Sequence, residues 1–247
     1  EDHKDGFDIN PSIIYDFVAK NNILPKTSAV SVGEYIEFFK EHLQDADYLV
    51  HINISQGVSS SNKSAELAAE EFNGAVRVID SRQLSTGQGL LVMKACDLRN
   101  EGKSVDEIVD YIESIKNKVQ TSFVINTLDY LAKGGRCSSL SLIASKLLKI
   151  HPRINMVDGN LVVGKKHIGS LFNCINAYVS SLVNEYKDYD PKRVYITHTN
   201  CSDIIVNTVK ETLKEKFHFE EIIETIAGSV ITSHCGKGTL GVLFIKK

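Results

Sequence analysis

At 247 residues, 43% of them hydrophobic and 24% charged, the chain is long and apolar enough to bury one large core or two ordinary ones. A formal net charge of -3 without any Lys/Arg block excludes the electrostatic footprint of a nucleic-acid binder or of a protein held on an anionic membrane surface. No apolar run approaches the ~20 residues of a membrane span, so stable membrane insertion is not expected.

The first residues, "EDHKDGFDIN", are acidic and unlike a signal peptide, and they begin at Glu1 rather than at a methionine, which reads as a fragment. In "PKTSAVS", Thr27 and Ser28 precede a helical pattern starting near Val32, where helix capping is the plain reading. "YLVHINIS" (Tyr48 to Ser55) and "AVRVID" (Ala75 to Asp80) are β-rich, and "SSSNKSAELAAEEF" between them favours helix, giving a strand-helix-strand unit. At its turn Ser59, Ser60 and Ser61 offer hydroxyls and free N–H groups that could either cap the helix or receive an anion.

"GLLVMKACDLRNEG" continues as helix. Ser104 with Glu107 then makes a capping box before Val105, Ile108, Val109, Ile112 and Ile115, the spacing of one helical face. "TSFVINT" (Thr121 to Thr127) opens another strand, and Asp158-Gly159 within "RINMVDGNLVVG" is a hairpin signal. The helix "SLFNCINAYVSSLVNEY", the strand "RVYITHT", the helix "SDIIVNTVKETLKEKF" and two last strands, "FEEIIETIA" and "GVLFIKK", complete the chain. This rhythm implies an α/β domain over 1–120, with a mostly parallel sheet flanked by helices, and an α+β domain over 121–247, with a ligand cleft between them.

Near the C-terminus, Gly236-Lys237-Gly238-Thr239-Leu240-Gly241 spells G-x-G-x-x-G, but the residues after it are strand-like, so no helix N-terminus follows to hold a pyrophosphate. A Gly-rich turn presenting His234 is the better reading, with Lys237 adding a positive charge nearby. A serine hydrolase using Ser59 and His234 lacks the glycine of the nucleophile elbow, since Ser61 stands there. A metal site from His198 and His234 lacks a close-spaced second ligand, so no metal is expected. Cys96, Cys137, Cys174, Cys201 and Cys235 are odd in number and include no C-x-x-C pair, which suits a reducing, cytoplasmic setting.

Five stretches together carry a resemblance. "PKTSAVSVGEYIEFF", "ISQGVSSSNKSA", "VIDSRQLSTGQG", "LDYLAKGGRCSS" and "VITSHCGKGTLGVLF" are similar, in order and spacing, to the motifs of the DegV family of bacterial fatty-acid-binding proteins. The resemblance implies a DegV-like fold, a lipid carrier rather than an enzyme, and a bound long-chain fatty acid with no cofactor. It further implies a separate fatty-acid kinase as partner, to which the acid is presented for acyl-phosphate formation. Thr27, Ser59, Ser60 and His234 match the residues around the carboxylate, and Arg136 matches the arginine of the kinase encounter. The alternative is a serine-dependent lipid ester hydrolase using Ser59 and His234. The chain departs from the family at Ser60, where a glycine is usual, at Cys137, Cys235 and Lys237, and in lacking the family's first strand.

Overall fold

The computed structural model describes residues 2–137 and 149–247; the end of the "LDYLAKGGRCSS" motif, at Ser138 and Ser139, lies outside them. The chain divides into two compact units, one of Glu1–Thr27, Gln120–Met156 and Leu161–Lys247, the other of Ser28–Val119 with Val157–Asn160. Relative to a division at residue 120, the first 27 residues stand with the later part of the chain. The reason is local: α1 (Pro11–Asn21) packs against α9 (Ser229–Cys235).

The Ser28–Val119 unit is built on two parallel strands, β1 (Leu49–Asn53) and β2 (Val76–Asp80), in register from Leu49↔Val76 to Asn53↔Asp80. Their crossover is α3 (Ser61–Ala69), extended by a 3-10 turn at Glu70–Phe72. Two further helices begin with full capping boxes: α2 (Val32–His42) at Ser31 with Glu34, and α5 (Val105–Ile115) at Ser104 with Glu107. Tyr35 and Phe39 of α2 meet Ala65 and Ala68 of α3 and Val76 of β2 in one core. The alanines' small side chains let the two helices approach closely. α4 (Ser85–Asn100) starts earlier than its apolar pattern, because Gln88 in its first turn donates to the Ile52 carbonyl at 2.7 Å and docks that turn onto β1.

The other unit holds a six-stranded mixed sheet in the order β5-β4-β3-β8-β6-β7. Its strands are β3 (Val119–Val124), β4 (Ile150–Val157), β5 (Asn160–Ile168), β6 (Tyr189–His198), β7 (Glu221–Ile226) and β8 (Leu240–Lys246). β3 and β4 are antiparallel, as are β6 and β8, while β6 and β7 are parallel. Asp158 and Gly159 join β4 to β5 with φ of 48° and 78°, the left-handed pair that a two-residue hairpin turn requires. α7 (Leu171–Glu185) and α8 (Asp203–Lys216) cover the sheet, burying Tyr178, Leu182, Val209 and Leu213 against Val194, Ile196, Val242 and Phe244. Three helices have no expectation behind them: α1, α6 (Asp129–Gly134) and α9. For α1 the signal was present, since Asn10 caps it by accepting from Ile13 N–H and Pro11 occupies its first turn.

Candidate ligand head-group site

Thr27 is released from the capping role that its position suggests, because Ser31 caps α2 instead. Its hydroxyl reaches His234, with Oγ1 2.8 Å from Nε2, across 207 residues of sequence. Thr27 and His234 are both half-buried.

His234 sits near the end of α9, so the expected Gly-rich turn is corrected to a short helix that the glycines terminate. Gly236 stops it with φ 70°, and its N–H still reaches the Thr232 carbonyl at 2.9 Å. At the other end Asp5 accepts from the N–H groups of Ser229 at 2.8 Å and Val230 at 3.0 Å. Burial works against the Asp5 carboxylate, but those backbone donors outweigh it and hold its pKa below the usual range. α9 is thereby anchored at both ends, which fixes the imidazole.

The ring of His234 lies against Gly134, the first glycine of the "GGR" stretch, where an added Cβ would stand only 2.5 Å from Nδ1. Gly135 follows with φ 69°, a left-handed conformation favouring glycine. Exposed Arg136 then folds back, Nη1 donating to the Gly134 carbonyl at 2.7 Å. Burial first, and the Arg136 charge second, push the His234 pKa down, so the ring is neutral and carries one N–H. Its Nδ1 is buried without a hydrogen-bond partner. With the proton on Nε2, His234 donates to Thr27 Oγ1 and the hydroxyl proton of Thr27 is free for an incoming acceptor.

The Nζ of Lys237 stands 6.0 Å from the centroid of the Tyr15 ring. Asp5, Tyr15 and Gly134 are the residues that sequence reasoning missed. Only Gly134 had a local signal, a glycine whose need for close approach is now explained.

Ser59 and Ser60 belong to the other unit, at the start of α3. Ser60 is the exposed N-cap and makes no side-chain capping bond. Ser59 Oγ accepts from Ser61 N–H at 3.2 Å and donates to Ser61 Oγ at 3.0 Å, and Ser61 Oγ in turn accepts from Val30 N–H at 3.2 Å. The helix-capping reading therefore describes Ser59 well, and its hydroxyl proton points to a serine rather than to a base. Nearby, Ser55 Oγ donates to the Gly159 carbonyl at 2.7 Å.

His198 has both ring nitrogens engaged. Nδ1 accepts from Cys201 N–H at 3.3 Å and Nε2 meets Glu224 at 3.1 Å. Among the described residues no group of three or more metal-ligating side chains comes together, and no helix is long and apolar enough to cross a membrane.

The model of the DegV family, described as "Uncharacterised protein, DegV family", matches residues 1–247. A DegV domain-containing protein of Clostridium perfringens is 30% identical over 247 residues, 96% of this chain and 83% of the relative. Among solved structures, a fatty-acid-binding DegV family protein from Thermus thermophilus superimposes with a TM-score of 0.91 at 27% identity, over 99% of this chain and 87% of that one. DegV of Bacillus subtilis, a fatty-acid-binding protein, does so with a TM-score of 0.84 at 26% identity, over 100% and 88%. With a match along its whole length and that fold, this chain belongs to the DegV family.

Proposed function

We propose that this chain binds a long-chain fatty acid and holds its carboxylate with Thr27, Ser59, Ser60 and His234. The observation that carries the reading is the Thr27–His234 hydrogen bond, which in the Nε2–H tautomer of a neutral imidazole leaves the Thr27 hydroxyl proton free. A carboxylate is ionised at neutral pH and only accepts hydrogen bonds, so it needs such donors. The exposed start of α3, with Ser60 uncommitted, adds N–H groups and the positive end of a helix dipole. Solved relatives above one quarter identity bind fatty acids, which supports the same ligand class here. An acyl chain of roughly 14 to 18 carbons gains ~0.8 kcal/mol per buried methylene, enough to exceed the cost of ordering it.

The finer reading is a carrier that presents the acid to a separate kinase for acyl-phosphate formation, with Arg136 at the rim of that encounter and no cofactor or catalytic residue of its own. Exposure of Arg136 beside the residue that packs on His234 supports this assignment. Five free cysteines suit work in a reducing cytoplasm. Mass spectrometry of organic extracts from protein purified out of a lipid-containing host tests the central reading. A stoichiometric long-chain acid is expected, and its absence would overturn the proposal.

A further inference from the structure

α9 has seven residues, too few to hold its place by its own hydrogen bonds, so the direction in which it presents His234 is set by ties to its surroundings. Asp5 supplies the tie at its start. At its end the chain turns through Gly236-Lys237-Gly238-Thr239 into β8, with φ of 70° and 84° at the two glycines. Thr199, which follows directly on β6 and is 1% exposed, closes this turn from outside. Its backbone extends the pairing of β6 with β8 by one residue: Thr199 N–H donates to the Thr239 carbonyl at 2.9 Å, and its carbonyl accepts from Gly238 N–H at 2.6 Å.

The Thr199 hydroxyl does more than extend a ladder. It donates to the Gly236 carbonyl at 2.5 Å and accepts from Thr239 N–H at 2.8 Å, so the carbonyl and the N–H that a β-turn pairs with each other are both bonded to this one side chain. Thr239 Oγ1 then donates to the Cys235 carbonyl at 3.0 Å, a second tie onto the last turn of α9. Gly236 ends the helix, and His234 lies two residues before it. Because Thr199 and Thr239 are buried, water cannot replace the Thr199 hydroxyl at either partner, and its removal leaves a donor and an acceptor unsatisfied. The ring of His234 has little room to follow a moving turn, with Gly134 packed against it on one side and a 2.8 Å bond to Thr27 on the other. That bond weakens steeply with distance and angle.

We infer that Thr199 is a positioning residue of the head-group site: its hydroxyl fixes the turn between α9 and β8 and thereby aims His234 at Thr27. The role rests on the reading of Thr27 and His234 as carboxylate donors, so its test starts in lipid-free protein, where that reading is not needed. The imidazole nitrogens of His234 are followed by NMR in the full chain and in its variants, first without lipid and then during titration with hexadecanoate. Thr199→Val keeps the shape and removes the hydroxyl; its Nε2 resonance is expected to move to that of an imidazole without the Thr27 bond, and hexadecanoate to bind about tenfold more weakly. Thr199→Ser, which retains the hydroxyl, is expected to restore both. Val209→Ala opens the core beneath α8 in the same unit and should leave the His234 signal in place, which separates positioning from a general loss of stability. Gly238→Ala strains the same turn at φ 84° and is expected to move His234 as Thr199→Val does, so the proposal stays testable if that variant fails to fold. An unmoved His234 signal in folded Thr199→Val or Gly238→Ala would overturn it. If the unaltered chain binds no hexadecanoate while His234 still responds to Thr199, the head-group reading falls and the positioning of the ring stands.

Discussion

Thr27 and Ser59 look alike in sequence, each a hydroxyl just ahead of a helix, yet the two regions use them in opposite ways. At α3 the Ser59 hydroxyl is spent locally, on the N–H and hydroxyl of Ser61. At α2 the cap is supplied four residues later by Ser31, and Thr27 is left to bond a histidine from the far end of the chain. A hydroxyl relieved of local duty is available to a ligand; one that closes a turn first has to leave it.

The sharpest way to break this comparison is to move His234 without touching either hydroxyl. Gly134→Ala places a methyl 2.5 Å from Nδ1, which the ring cannot accept in place. Overpacking of this kind costs about 1–3 kcal/mol, and displacement of the ring from Thr27 adds a loss of fatty-acid affinity beyond tenfold. Chemical denaturation and lipid titration of the same variant separate the two effects.

The alanine variants of the two hydroxyls sharpen the contrast. Thr27→Ala leaves the Ser31 cap intact and is expected to change lipid-free stability by less than about 1 kcal/mol while weakening fatty-acid binding roughly ten- to 150-fold. Ser59→Ala is expected to cost ~0.5–2 kcal/mol without lipid as well, as loss of a cap does. Equal stability losses in both variants, with unchanged affinity, would erase the distinction.

A third difference lies in pH response. His51 of β1 is packed among Tyr35, Phe38 and Phe39, with Nε2 accepting from Asn53 Nδ2 at 3.0 Å, and burial lowers its pKa from 6.5 to about 4. The unfolded chain therefore takes up the proton first. The stability linked to His51 is complete above pH 6.5 and is lost as pH falls toward 4. Denaturation profiles across that window should flatten in His51→Gln, which cannot titrate.

The smallest effect is expected at Arg136. Arg136→Ala should leave lipid affinity within about twofold, because a rim charge acts mainly on association with a partner, while acyl-phosphate production by the proposed kinase partner is expected to fall. Its removal should also raise the His234 pKa, since the Arg136 charge helps to depress it. Unchanged phosphorylation across a titration of the variant would remove the partner role.

Local chemistry was the legible part of this molecule. The Ser104–Glu107 capping box, the Asp158-Gly159 turn and the long apolar helices follow from residues within a few positions of one another, and each is present. α9 was hidden because its seven residues carry Ser, Thr, His and Cys rather than a periodic apolar face, and because Asp5, 224 residues away, caps it. The five motifs named Thr27 and His234 together, and the local S-x-x-E pattern of Ser31 and Glu34 already marks the cap of α2, but nothing local could show that Thr27 would meet His234 or that Gly134 exists to admit an imidazole. Such features depend on tertiary approach, which leaves no periodicity.

The central claim is that a fatty-acid carboxylate accepts a hydrogen bond at the Thr27–His234 pair. Titrating lipid-free protein with hexadecanoate labelled with carbon-13 at its carboxyl, while observing the carboxylate and the His234 Nε2 resonance together, tests it most directly. The account predicts that both signals change with one saturation curve, and that Thr27→Ala abolishes the coupled change. Saturable binding of the acid with the His234 resonance unmoved would contradict it.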